Sequence, residues 1–264
     1  MKKYLVIGNP IEHSLSPILH NYWIKENEIN AIYEKIKLEE HELDDLILNI
    51  KNKKIDGINI TVPFKKKIIP YLDKHSDEAS KTQSVNTVYL DKGKIIGHNT
   101  DIIGFEIGLK KTNHNIKDKK ILILGAGGVV SSIIYAVKKM KASEIIVSNR
   151  TQSKAENLKK IFSDLKIAKW GEVPDFDVVI NATSIGLNVK DIIDLDFSKI
   201  GKNKLFFDVI YNPKETNFLN MGKKLGNITE NGKLMFIYQA SAAFEIWHGV
   251  KPKINDDIIK LLDL

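Results

Sequence analysis

Residues 121–140 constrain this chain more than any other stretch. Ile121 to Leu124 is an apolar run that reads as a strand, Gly125-Ala126-Gly127-Gly128 reads as a turn, and residues 129–140 carry apolar positions at helical spacing. A strand, a glycine turn and a helix in direct succession are the opening of a βαβ unit that binds a dinucleotide. Gly125 makes the tight turn, Gly127 lets the backbone approach a pyrophosphate, and the start of the helix offers unpaired N–H groups to the anion. Val129 opens that helix, and Val130 occupies the position of a third small residue. A glycine motif alone also fits an ordinary α/β turn. The context favours the cofactor, because a second apolar strand, residues 144–148, ends about 20 residues further on.

The residues that end this second strand select the cofactor. An acidic residue there would bond a ribose 2′-hydroxyl. This chain has Asn149-Arg150-Thr151, with Lys154 one turn on. Arg150 is the only arginine among 40 lysines and arginines. A planar guanidinium fork suits a 2′-phosphate better than an ammonium does, so the expected cofactor is NADP. The alternative is a chance surface residue.

The rest of the chain alternates strands and helices, so an α/β fold with a mostly parallel sheet is expected. Strands are expected at residues 4–8, 31–38, 57–62, 85–90 and 94–97, the last two forming a hairpin. Helices are expected at 17–28, with Ser16 as N-cap, at 42–50, directly after Phe64, and at 77–82. Further on, helices are expected at 100–111, 153–162, 232–248 and 256–263, and strands at 178–182 and 205–210. With 264 residues, 43% of them hydrophobic, the chain supports two domains. It has no cysteine, which excludes disulfides, thiolate metal sites and a cysteine nucleophile; no metal is expected. The amino-terminal apolar run is short and broken by Gly8, Asn9 and Pro10, so it is read as a strand, not a signal peptide, and the protein as cytoplasmic, with no membrane partner. The formal net charge of +7 raises nucleic-acid binding. Scattered lysines without arginine forks argue against it and fit a solvated surface, the alternative being steering of an acidic small molecule or a nucleotide.

Polar residues collect at the expected ends of strands, where α/β proteins bind ligands. Ser14 and Ser16 precede a helix and either cap it or hold an anion. Asn59 and Thr61 alternate onto one face, and Lys65 follows just past Pro63. Asn86-Thr87 lies in a strand, and Asn99-Thr100-Asp101 opens a helix, where a capping role is the alternative. Tyr211 and Gln239 interrupt apolar stretches.

In order, the segments GNPIEHSLSPILHN, NITVPFKK, VNTV, GHNTDIIGF, GAGGVV, SNRT, NATSIGL, DVIYNPKET and YQASAAFEIWHG resemble the shikimate dehydrogenase family over nearly the whole chain. The resemblance implies a substrate domain at residues 1–100 completed by C-terminal helices at 233–264, a Rossmann-type doubly wound NADP domain at 101–232, and an active site in the cleft between them. It implies reduction of 3-dehydroshikimate to shikimate with NADPH, on the route to aromatic amino acids. Lys65 and Asp101 would be the catalytic pair. Ser14, Ser16 and Tyr211 would hold the substrate carboxylate, and Thr61, Lys65, Asn86, Asp101 and Gln239 would address the ring oxygens. Gly125, Ala126, Gly127, Gly128, Val129, Asn149, Arg150, Thr151, Lys154, Thr183, Ile210 and Gly232 would line the cofactor. The chain departs from the family at Val130, where alanine is usual, and at Thr82-Gln83-Ser84, which replaces a more apolar, glycine-containing stretch.

Three other readings are weighed. A quinate/shikimate dehydrogenase preferring NAD would need an acidic residue near Arg150. A non-catalytic regulator would have lost Lys65 or Asp101. A nucleic-acid-binding protein would bind with steep salt dependence. The expected partner is a small-molecule substrate, and the expected state a monomer or homodimer.

Overall fold

The computed structural model describes residues 1–262; the end of the last expected helix, at Asp263, lies outside the described residues. The chain divides into two compact units. Unit 1 comprises Met1–Gly104 and the segment from Ile237 onward, and unit 2 is Phe105–Phe236. Among the described residues no helix is long and apolar enough to cross a membrane.

Unit 1 is built on a six-stranded sheet in the order β2-β1-β3-β5-β6-β4. Its strands are β1 (Lys2–Gly8), β2 (Ala31–Lys37), β3 (Gly57–Ile60), β4 (Lys74–His75), β5 (Thr87–Asp91) and β6 (Lys94–His98). β1 pairs in parallel with β2 and β3, and β5 runs antiparallel to both β3 and β6, so this sheet is mixed. The antiparallel strand comes from the hairpin, where Asp91 pairs with Lys94 across Lys92 and Gly93. Both turn residues have positive φ, 47° and 79°, the backbone twist that a two-residue hairpin requires.

Helices α1 (Ser16–Glu26), α2 (Leu43–Lys51) and α3 (Asp77–Thr82) cover this sheet together with the C-terminal α8 (Lys233–His248) and α9 (Asp256–Leu261). α2 shows why the sequence chooses a helix: Leu43, Leu46, Ile47 and Ile50 fall on one face and are all buried. Each such side chain contributes about 1.5–3 kcal/mol by leaving water. Two expectations are corrected here. Ser16 does not cap α1; Leu15 holds the cap position without a side-chain bond, and Ser16 is the first helical residue. No α-helix follows Phe64. The chain turns there and forms a 3₁₀ segment at Ile69–Tyr71, because Pro70 removes the N–H that an α-helix would need.

Unit 2 holds a second six-stranded sheet in the order β12-β11-β10-β7-β8-β9. Its strands are β7 (Lys120–Leu124), β8 (Glu144–Ser148), β9 (Lys166–Ala168), β10 (Val178–Asn181), β11 (Leu205–Asp208) and β12 (Ile228–Glu230). All pairings are parallel, and the central strands are apolar between their ends, as strands covered on both faces must be. Helices α5 (Val130–Lys139), α6 (Gln152–Ile161) and α7 (Asn217–Lys224) connect them, and α4 (Asp101–Lys111) leads in from unit 1. The strand order reverses between β7 and β10. This is the doubly wound dinucleotide topology, and the reversal opens a crevice at the carboxyl ends of those two strands.

Candidate active site

In unit 1 the polar residues gather around one amide. Asn86 is buried just before β5 and uses both ends of its side chain. Its Oδ1 accepts from the Thr100 backbone N–H at 2.8 Å. Its Nδ2 lies 2.9 Å from Thr100 Oγ1, 3.0 Å from Asp101 Oδ1 and 3.4 Å from Gln239 Oε1. The Asn99 side chain accepts from the Asp101 backbone N–H at 3.1 Å, so Asn99 caps the start of α4 and fixes where Asp101 begins.

The other oxygen of Asp101 accepts from Lys65 Nζ at 2.5 Å. Both side chains of the pair are buried, at 10% and 7% exposure. The backbone at Lys65 is tied to the segment that leads into β5: the Val85 N–H donates to the Lys65 carbonyl at 2.9 Å. Lys66 and Lys67 are exposed, and Lys67 pairs with Glu40.

Thr61 is half-buried at the end of β3. A Cβ on Gly8 would stand 2.4 Å from Thr61 Cγ2, so only glycine lets the end of β1 approach this closely. Asn59 turns inward instead: Tyr33 donates to its Oδ1 at 2.7 Å, and its Nδ2 donates to the Asn86 carbonyl and to Thr87 Oγ1, both at 3.1 Å. Ser14 Oγ accepts from the Ser16 backbone N–H at 3.3 Å, which places the two serines together at the start of α1. The structure thus joins Lys65, Asp101, Asn86 and Gln239 in one hydrogen-bonded set and Ser14 with Ser16 in a second. Tyr211 belongs to unit 2, where it stacks on Phe236 with centroids 4.3 Å apart.

The glycine turn of unit 2 follows β7. Gly125 has φ 113°, and a Cβ there would press on the Ala182 carbonyl oxygen at 2.7 Å. Gly127 is exposed, and a Cβ there would meet nothing nearer than that oxygen at 4.0 Å. This open backbone beside a helix start fits a pyrophosphate, with Ala126, Gly128 and Val129 around it. Val130, where the family usually has alanine, is fully buried, so its added bulk packs into the core. Beyond β8, Asn149 Nδ2 donates to the Thr151 carbonyl at 2.8 Å, tightening the loop that presents Arg150. Arg150, Thr151 and Lys154 are exposed, and among the described residues no carboxylate pairs with Arg150.

The second half of the sheet carries residues that sequence reasoning did not single out. Asn181 ends β10 and Asp208 ends β11, side by side in register, and both are fully buried. Asn181 Oδ1 accepts from Thr183 Oγ1 at 2.7 Å, and its Nδ2 donates to Asp208 Oδ1 at 3.1 Å. Burial pushes the Asp208 carboxyl up to about 6, against bonds from Thr216, Ile210 and Asn181 that pull it down. The visible signal was a polar residue closing each of two apolar strands. Gly232 lies beside this cluster: its N–H bonds the Ile210 carbonyl at 3.1 Å, and a Cβ would collide with the Val209 carbonyl oxygen at 2.1 Å.

A doubly wound sheet with a glycine turn after its first strand, in a chain whose other α/β unit carries a buried lysine–aspartate pair, defines a dinucleotide-dependent oxidoreductase. The comparisons sharpen that class. The family model for the shikimate dehydrogenase substrate binding domain matches residues 6–88, and that for shikimate / quinate 5-dehydrogenase matches residues 106–217. The chain is 61% identical over 263 residues to a shikimate dehydrogenase (NADP(+)) of Pelagibacter ubique, covering 100% of this chain and 99% of the relative. The crystal structure of shikimate dehydrogenase from Aquifex aeolicus superposes with TM-score 0.89 at 36% identity, covering 99% of this chain and 97% of that one. The enzyme of Thermus thermophilus, crystallised with NADP(H) and shikimate, superposes with TM-score 0.90 at 28% identity, covering 99% and 98%. The chain belongs to the shikimate dehydrogenase family.

Proposed function

We propose that this protein catalyses the reversible NADPH-dependent reduction of 3-dehydroshikimate to shikimate. The observation that carries the reading is the buried Lys65–Asp101 pair, with its lysine at the end of a strand loop and its carboxylate held on the other side by Asn86. Bound NADPH supplies the hydride, delivered from C4 of its nicotinamide to C3 of the substrate. Lys65 gives its proton to the carbonyl oxygen as that hydride arrives, and in the reverse direction neutral Lys65 takes the C3 hydroxyl proton. Asp101 holds the lysine in place and accepts from a neighbouring ring hydroxyl. Asn86, Thr61 and Gln239 address the remaining ring oxygens. Ser14 and Ser16 offer neutral donors to the substrate carboxylate, and the resemblance adds Tyr211 from unit 2. Neutral donors suffice when they are preorganised away from water. Gly125, Ala126, Gly127, Gly128 and Val129 would take the pyrophosphate, Asn149, Arg150, Thr151 and Lys154 the 2′-phosphate, and Thr183, Ile210 and Gly232 the nicotinamide end. We place the enzyme in the cytoplasm, acting as a monomer or homodimer.

The deciding experiment is steady-state oxidation of shikimate with NADP⁺ and, separately, NAD⁺, followed by absorbance of the reduced nicotinamide. Strong NADP⁺-dependent turnover supports the reading. Equal or faster turnover with NAD⁺ keeps the reaction and removes the phosphate role of Arg150. Absence of turnover with either, in folded protein, rejects the reading. The family description for residues 106–217 also covers quinate, so quinate oxidation belongs in the same assay.

A further inference from the structure

The carboxylate of Asp208 is the most completely buried acidic group in unit 2 that the proposed reaction leaves without a task. It sits where three loops converge. Oδ1 accepts from Asn181 Nδ2 at 3.1 Å and from the Ile210 backbone N–H at 3.0 Å. Oδ2 accepts from Thr216 Oγ1 at 2.7 Å, and Thr216 is the N-cap of α7, accepting from the Leu219 N–H at 3.3 Å. Asn181 carries the link onward, taking the Thr183 N–H at 3.1 Å and the Thr183 hydroxyl at 2.7 Å, while its amide donates to the Ile185 carbonyl at 3.0 Å. One carboxylate therefore ties the loop after β10, the loop after β11 and the start of α7.

A doubly wound sheet binds its dinucleotide in two halves, one mononucleotide to each half of the sheet. Arg150 follows β8, so the adenosine half belongs to β7, β8 and β9, and the nicotinamide half belongs to β10, β11 and β12. We infer that Asp208 is a positioning residue for the nicotinamide half-site, acting through Asn181 on Thr183 and through the Ile210 backbone without touching the cofactor. This rests on the proposed use of NADP(H) by unit 2. A charged acceptor with three donors holds loop geometry better than a neutral one, because charge-assisted bonds are shorter and stronger. Leaving a carboxylate buried is costly in itself, and preorganisation of a reacting ring is a physical reason to tolerate that cost.

The test separates the two halves of the cofactor. Asp208→Asn keeps shape and volume while removing charge, and Asn181→Ala cuts the same relay one residue further on. Binding of NADP⁺ and of 2′,5′-ADP, which occupies only the adenosine half, is measured for wild type and both variants. Turnover of shikimate is followed with the primary isotope effect from substrate deuterated at C3. The expected result is NADP⁺ binding weaker by about tenfold, 2′,5′-ADP binding within about twofold of wild type, and a lower kcat with a larger isotope effect. An unchanged ratio of the two affinities in both variants overturns the inference. Parallel loss of both ligands also overturns it, since that marks general damage to unit 2. Because the binding arm needs no turnover, an inactive wild type would reject the proposed reaction while leaving this inference to be decided on its own.

Discussion

The carboxylate of Asp101 is divided between two partners: Lys65 Nζ meets one oxygen at 2.5 Å and Asn86 Nδ2 meets the other at 3.0 Å. Asn86 is in turn held by the Thr100 N–H, so the amide, the aspartate and the lysine form one rigid relay. The lysine is the group in this set that can move a proton to a substrate oxygen.

Lys65→Ala is therefore expected to lower kcat by about 10²–10⁴-fold, the range for loss of a positioned acid–base group, while KM for shikimate changes far less. Asp101→Asn should also lose most turnover, because it removes the charge that orients Lys65. Steady-state kinetics decide both. A Lys65→Ala enzyme with raised KM and intact kcat would reduce Lys65 to a binding residue. Either substitution breaks a buried pair and leaves one partner unmatched, so unfolding in urea should also show a loss of about 3–5 kcal/mol.

Arg150 is exposed at the end of a loop tightened by Asn149, so its substitution should leave the fold alone and act on cofactor choice. Arg150→Ala should lower kcat/KM for NADP⁺ by about 10–100-fold, the loss of a charge-assisted bidentate contact, and leave NAD⁺ nearly unaffected. Arg150→Lys should recover only part of the loss, since an ammonium lacks the planar fork. A variant whose preference for NADP⁺ is intact would assign the phosphate to Lys154 or to another group.

Much of this was legible in the sequence, and the reasons are physical. The β7 turn segment was readable because glycine, apolar run and helical spacing all report the same backbone. β9 and β12 were not, because three-residue edge strands such as Lys166–Ala168 and Ile228–Glu230 are too short for any periodicity. The hairpin of β5 and β6 was legible from its turn, but the antiparallel pairing of β5 with β3 was hidden, because it depends on long-range pairing and not on local pattern. Lys65 stood out by position after Pro63, but its bond to Asp101 spans 36 residues and lies beyond any spacing rule. Asn181 and Asp208 each close an apolar strand, a visible signal, but a polar residue at a strand end is common, and the bond that joins these two spans 27 residues.

The departure at Thr82-Gln83-Ser84 has a definite structural meaning. Gln83 closes α3 with φ 49° and ψ 42°, the left-handed region where glycine carries no penalty. A side chain in that region costs about 1–2 kcal/mol, partly offset by the smaller entropy of the unfolded chain relative to glycine. The exposed Gln83 amide bonds the Ser80 carbonyl at 2.7 Å, a contribution too small at the surface to reverse the balance. Gln83→Gly is expected to stabilise the protein by about 0.5 kcal/mol and raise Tm by one or two degrees, roughly, with turnover unchanged. Calorimetry showing a lower Tm would mean that the amide bond outweighs the backbone strain.

The acid side of the stability profile should be set largely by His20. Its ring is fully buried, stacked on Tyr33 with centroids 4.1 Å apart, and packed edge-on against Trp23 at 5.8 Å. Burial pushes its pKa down to about 3, and His248 adds to the shift. His248 itself is lowered to about 4 by burial and by Lys2, with Asp56 opposing. A histidine whose folded pKa lies below its unfolded value of 6.5 keeps the folded state neutral. The unfolded chain then binds more protons between about pH 3 and 6.5, so stability falls as pH falls through that window, by up to about 1.4 kcal/mol per pH unit for one group. Asp208 acts in the opposite direction: its raised carboxyl favours the folded state at low pH and loses that advantage as pH climbs toward about 6. The two overlap, so the decisive quantity is a difference between proteins. His20→Phe keeps an aromatic ring in the stack and removes the titration; between pH 6 and 4 its Tm should drop less than that of wild type. Identical slopes in the two proteins would show that His20 ionises without opening the aromatic cluster.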